Sequence, residues 1–174
     1  MTERTWRRRT TIALLLAAGL LWTGVGAAQV PASLAPPMAL LDRGGKAVRL
    51  ESFKGRVVLV DFWATWCIPC RVSLPAYDDL IRQYQKRGFE VLAVNIGETR
   101  AQVDAYFKGR EPLIRILMDP RGSTSGSFKV RALPTSVLID RDGYIRFTIV
   151  GFEDGALPAY HEYIQMLLDE PPSD

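Results

Sequence analysis

Val57-Val58-Leu59-Val60-Asp61-Phe62-Trp63-Ala64-Thr65-Trp66-Cys67-Ile68-Pro69-Cys70 is the stretch whose reading decides the fold. Its first seven residues are β-branched, aromatic and almost continuously apolar, the mark of a strand buried on both faces. Past Cys70 the apolar positions become Leu74, Tyr77, Leu80, Ile81 and Tyr84, which is helical spacing. The two cysteines therefore stand where a buried strand hands over to a helix. Cys67 falls at the helix N-terminus, where unpaired backbone N–H groups and the helix dipole favour a thiolate. A thiolate is the nucleophile of thiol–disulfide exchange. The placement points to redox chemistry.

Composition sets bounds around this stretch. Of 174 residues, 48% are hydrophobic, enough for a core without disulfide staples. Both cysteines lie in the one pair, so no cross-link is available elsewhere. The 22 basic and 19 acidic side chains fall to 18 and 18 once Arg4, Arg7, Arg8, Arg9 and Glu3 are set aside. Nucleic-acid binding thus has no electrostatic support. Arg7-Arg8-Arg9 precedes residues 12–28, an apolar run broken only by Thr23, which is the layout of an export signal. Gly26-Ala27-Ala28 offers small residues for a cut before Gln29. The run is also close to the roughly 17–25 residues that span a bilayer. A cleaved signal peptide and a retained membrane anchor over residues 1–28 both fit.

Residues 29–36 carry Pro31 and Pro36 among small side chains and read as a linker ahead of a domain over 37–170. Segments 38–41 and 46–50 flank Asp42-Arg43-Gly44-Gly45, a β-hairpin pattern. Pro75 should kink the cysteine helix, and Gly88 should end it. Phe89–Ile96 reads as the next buried strand. Thr99-Arg100-Ala101-Gln102 has capping-box form and opens a helix with Val103, Tyr106 and Phe107 inward. The apolar piece 113–118 leads to Asp119-Pro120, which reads as the N-cap and first position of another helix. Segments 136–140 and Tyr144–Val150 read as strands around a turn. Residues 158–168 form an amphipathic pattern with Tyr160, Tyr163, Ile164, Leu167 and Leu168 inward. From Glu170 onward the chain reads as a frayed end, with 171–174 a flexible tail. This alternation predicts an α/β sandwich with helices on both faces.

The chemistry expected of the pair is stepwise. Cys67 is the exposed attacking sulfur, and Cys70, one turn in, is the shielded sulfur that resolves the mixed disulfide. Pro69 stiffens the loop, and Trp66 and Ile68 form an apolar lip against which a peptide can lie. Asp61 is a carboxylate inside an apolar strand. Burial raises a carboxyl pKa, which suits it to accept a proton from Cys70. A structural acid satisfied by backbone donors is the plainer alternative. Half of a zinc site is the alternative for the cysteines, but zinc needs further ligands and the sole histidine, His161, falls on the last helix. No metal is expected. The tyrosines and tryptophans elsewhere read as core packing.

With these residues in hand, the segment from Val60 to Cys70 resembles the active-site stretch of thioredoxin. The wider layout resembles the TlpA/ResA group of exported, often membrane-tethered thioredoxin-like thiol-disulfide oxidoreductases. The N-terminal hairpin, Asn95-Ile96-Gly97-Glu98-Thr99 and the helical insertion before Leu133-Pro134-Thr135 carry that likeness. The resemblance implies a three-layer sandwich around a central mixed sheet, with a redox-active Cys67–Cys70 disulfide and no other cofactor. It also implies a cis Leu133–Pro134 bond opposite the cysteines, which exposes the Leu133 backbone to substrate and keeps metals off the thiols. Two departures stand out. Ser73 occupies the position where ResA-like proteins commonly carry a glutamate, and they often lack an acid in the central strand, where Asp61 matches thioredoxin. Thioredoxin also has a lysine near its buried acid, and Ala93 stands there here. The function implied is a monomeric periplasmic reductase of exported proteins, apocytochrome c or oxidised metallochaperones among them, re-reduced by a membrane thiol donor. A disulfide-introducing oxidase and a non-catalytic binding module are the alternatives.

Overall fold

The computed structural model describes residues 33–153 and 155–171. In chain order the elements are β1 (Ser33–Leu34), β2 (Ala39–Asp42), β3 (Ala47–Arg49), β4 (Val57–Trp63), α1 (Ile68–Tyr84), β5 (Phe89–Ile96), α2 (Arg100–Tyr106), β6 (Arg115–Asp119), α3 (Ser123–Ser127), β7 (Thr135–Ile139), β8 (Tyr144–Val150) and α4 (Leu157–Asp169). They build one mixed sheet in the order β1-β8-β7-β4-β5-β6-β2-β3. Strands β4, β5 and β6 run parallel, and their neighbours run antiparallel. All seven residues of β4 are buried, Asp61 among them, as its near-continuous apolarity demanded. The hairpin, the central mixed sheet and the helices ahead of Pro134 make up the thioredoxin-like architecture expected.

Alternation along β4 sorts its side chains between two cores. Val57, Leu59 and Trp63 pack with Leu74 and Tyr77 of α1, Val103 of α2 and Ile164 of α4. Val58, Val60 and Phe62 pack with Met38, Val48 and Phe53 on the opposite face. The two faces are unequally clothed. Three helices cover the first; a short 3-10 turn over Leu50–Phe53, the hairpin and the residues after α3 cover the second. Asp61 shares its parity with Leu59 and Trp63, so it faces the helix-rich side.

Several expectations need correction. The linker joins the sheet earlier than its prolines suggested: Ser33 and Leu34 pair with Ile145 and Tyr144 at the sheet edge. Those two residues contain no proline, and an edge strand needs hydrogen bonds on one side only. The helix after Asp119 starts at Ser123 and not at Pro120, because Asp119 is still paired with Ile96 in the sheet. Its carboxylate nevertheless caps that helix from a distance, accepting the N–H groups of Ser123 and Ser125 at 3.1 and 3.0 Å. Glu170 is not frayed: it accepts from both Arg146 guanidinium nitrogens, and its carbonyl accepts from Arg141. Helix α1 continues through Pro75, which is exposed on its surface. A 3-10 turn then extends it to Gly88, whose φ of 93° ends the run as expected. The signal or anchor segment over 1–28 and the last residues of the tail, 172–174, lie outside the described residues.

Candidate active site

Strand β4 gives way to Ala64-Thr65-Trp66, and the chain turns there into α1 with Cys67 as N-cap. The Cys67 N–H donates to the Ala64 carbonyl at 3.1 Å, and the Cys67 sulfur accepts the Cys70 N–H at 3.2 Å. Pro69 sits in the first turn, where its missing N–H would lack a helical partner anyway. Cys67 and Cys70 are joined in a disulfide. Cys67 retains 4% of its surface and Cys70 none. The order of exposure matches expectation, but Cys67 is less open than the sequence suggested, because its sulfur folds back onto the first helical turn.

Cys67 is reached from a groove of about 530 Å³. Trp66, Ile68 and Pro69 form one wall, while Val130, Ala132 and Leu133 form the other. The outer wall is strongly exposed apolar surface, Trp66 at 67% and Ile68 at 75%. The Leu133–Pro134 bond is cis. Pro134 is buried and its carbonyl accepts the Gly151 N–H at 2.8 Å, whereas neither backbone group of Leu133 bonds to any described residue. A free N–H and C=O on one groove wall can pair with an extended peptide.

Asp61 lies beneath α1 with no exposed surface. Its Oδ1 accepts from Ser136 Oγ at 2.7 Å and from the Tyr77 hydroxyl at 3.2 Å, and Tyr160 donates to Ser136 at 3.0 Å. Oδ2 has no hydrogen-bond partner among the described residues. Burial raises the Asp61 carboxyl to about 7, and the hydroxyls of Ser136 and Tyr77 pull it down only in part. Burial, and then the charge of Asp61, pushes the Tyr77 hydroxyl well above its ordinary range. Among the described residues no cation bonds to Asp61; Ala93 is its register partner on β5. Tyr77 lies seven residues beyond Cys70 on the same helix face, and helical side chains lean toward the N-terminus. Asp61 therefore sits under the face of α1 that carries Cys70. Reading Tyr77 and Tyr160 as mere packing missed their hydroxyls, because Ser136 and Asp61 lie far from them in sequence. Ser73 is buried and turns its Oγ to the Cys70 carbonyl at 3.3 Å, so no acid stands at that position of α1.

Glu98 was legible only as part of a motif, and the structure shows what it holds. It accepts from the Thr65 N–H at 2.7 Å, the Thr65 hydroxyl at 2.5 Å and Asn95 Nδ2 at 2.7 Å. Burial pushes this carboxyl up, but the hydrogen bonds from Thr65 and Asn95 outweigh it and hold it below its usual range. A charged Glu98 thus ties the β5–α2 loop to the residue two places before Cys67. His161 lies away from this cluster, bonded through Nδ1 to the Tyr84 hydroxyl at 2.8 Å.

Comparison with known proteins follows the same lines. Residues 31–148 match the model of the AhpC/TSA family. The thiol-disulfide oxidoreductase ResA of Geobacillus thermodenitrificans is 36% identical over 149 residues, spanning 82% of this chain and 86% of that protein. Among solved structures, a protein described as the thiol:disulfide interchange protein DsbE of Chlorobium tepidum superposes with a TM-score of 0.76 at 34% identity, covering 79% of this chain and 96% of its own. The exposed lipoprotein thioredoxin Etrx1 of Streptococcus pneumoniae gives a TM-score of 0.63 at 30% identity, covering 73% and 99%.

Proposed function

The chain belongs to the AhpC/TSA family of thioredoxin-fold proteins and is a thiol-disulfide oxidoreductase, and on that premise we propose that it reduces disulfides of exported proteins through Cys67 and Cys70. The Cys67 thiolate attacks one sulfur of the substrate disulfide, forms a mixed disulfide and releases the other substrate sulfur. Cys70 then gives its proton to Asp61 and attacks Cys67, which regenerates the Cys67–Cys70 disulfide and releases the second substrate thiolate to take up a proton. Two electrons pass to the substrate. A membrane thiol donor restores the dithiol.

The observation that carries the direction is the complete burial of Cys70, on the helix face above an acid that bonds no cation among the described residues. Burial disfavours a Cys70 thiolate, and a dithiol whose second sulfur is not stabilised as thiolate gives its electrons away readily. Export rests on the arginine cluster followed by an apolar run in residues 1–28. Apocytochrome c and oxidised metallochaperones remain the substrate candidates. Insulin reduction with dithiothreitol as electron source is the direct test. Turbidity from the released B chain, well ahead of the protein-free control, is the expected result; a rate equal to that control would leave the binding-module reading in place.

A further inference from the structure

The groove beside Cys67 is apolar apart from Ser125 and Arg131. The Arg131 side chain is exposed and makes no ion pair or hydrogen bond with any described residue, and the same holds for the side chain of Lys129. Arg71, the residue after Cys70, donates to the neutral carbonyl of Thr65, at 3.2 and 3.1 Å, and forms no ion pair within 4 Å among the described residues. No acidic side chain lines the groove. This contrasts with the balanced charge of residues 29–174.

Lys129 is held there against its conformational preference. Helix α3 ends with the Lys129 N–H on the Gly126 carbonyl and the Val130 N–H on the Ser125 carbonyl, both at 3.0 Å, the pattern of a Schellman cap. The residue at its turn takes positive φ, 57° at Lys129, where glycine is the usual choice. Among the described residues Lys129 alone, apart from glycines, has positive φ. The cap aims Val130 and Arg131 along the groove, two residues before the unpaired backbone of Leu133.

We propose that Lys129 and Arg131 form a cationic rim that selects substrates bearing an acidic side chain close to the cysteine under attack. A peptide pairing with the backbone of Leu133 runs along the groove that Arg131 also lines, so residues near its cysteine pass Arg131. A carboxylate there meets a guanidinium with no competing partner. This rests on the dithiol-exchange reading above.

The test uses three peptides of one sequence, each closed by an internal disulfide, with Glu, Gln or Lys two residues to either side of the cysteines. For the full chain, the Glu peptide is expected to exceed the Lys peptide about fivefold in kcat/KM, as suits exposed charge pairs. The ratio should collapse at about 1 M salt. Lys129→Gly should lower the ratio while raising thermal stability, since it removes charge and backbone strain together. Arg131→Gln should lower it further. Equal rates for all three peptides, or a ratio untouched by salt and by both variants, overturns the selectivity while leaving the reductase intact. Failure to reduce even the Gln peptide overturns the dithiol-exchange reading itself.

Discussion

Cys67→Ser is expected to bring disulfide reduction down to the uncatalysed background, while Cys70→Ser accumulates a covalent complex with its substrate. The asymmetry follows from position. Cys67 lines the groove and caps the helix, so its sulfur is the one that a substrate disulfide can meet. Cys70 has no exposed surface and can reach only Cys67. Without Cys70 the first exchange still occurs, but nothing displaces the substrate. Non-reducing electrophoresis with an alkylating quench reads the adduct, and dithiothreitol should dissolve it. An adduct formed by Cys67→Ser and not by Cys70→Ser would invert the roles.

Asp61→Asn should make the oxidised protein more stable at pH 8 and slower at turnover. The folded protein holds the Asp61 proton up to about pH 7, whereas the unfolded chain loses it near pH 4. Between those values the folded state binds the extra proton, so stability falls as pH rises. This stabilisation is complete below about pH 4 and gone above about pH 7. Three pKa units correspond to about 4 kcal/mol. Chemical denaturation at pH 4.5 and pH 8 should show the wild type losing stability across that window, and Asp61→Asn losing far less. The same variant lacks a proton acceptor for Cys70, which should slow insulin reduction about 10²-fold at neutral pH. A variant that is destabilised at pH 8, or that turns over at the wild-type rate, would make Asp61 a structural acid.

Much of this architecture was legible because its signals are local. The nearly continuous apolar run of β4, the 3.6-residue pattern after Cys70 and the Thr99–Gln102 capping box each state their element in a few neighbouring residues. The misreadings arose where a distant partner outweighed the local pattern. Asp119-Pro120 has the form of a helix start, yet pairing with β5 keeps Asp119 in the sheet and sends only its carboxylate to the helix. The prolines of 29–36 hid a short edge strand whose partner, β8, lies more than a hundred residues away. At the site, Asp61 stood out because an acid is rare in such a strand. Ser136, Tyr77 and Tyr160 did not, because a serine in a strand and a tyrosine on a helix are ordinary until their hydroxyls meet. Glu98 is the same case: Thr65, its main partner, is 33 residues away.

The most direct measurement is the reduction potential of the Cys67/Cys70 pair, obtained by equilibrating the full chain in detergent with graded dithiothreitol mixtures and trapping the thiols. A value near that of reducing thioredoxins, about −270 mV, is expected for an electron donor whose sulfurs are buried. A value near about −120 mV would mean a reduced form stabilised by several kcal/mol, at about 1.4 kcal/mol for each 30 mV, and would make this protein an oxidase.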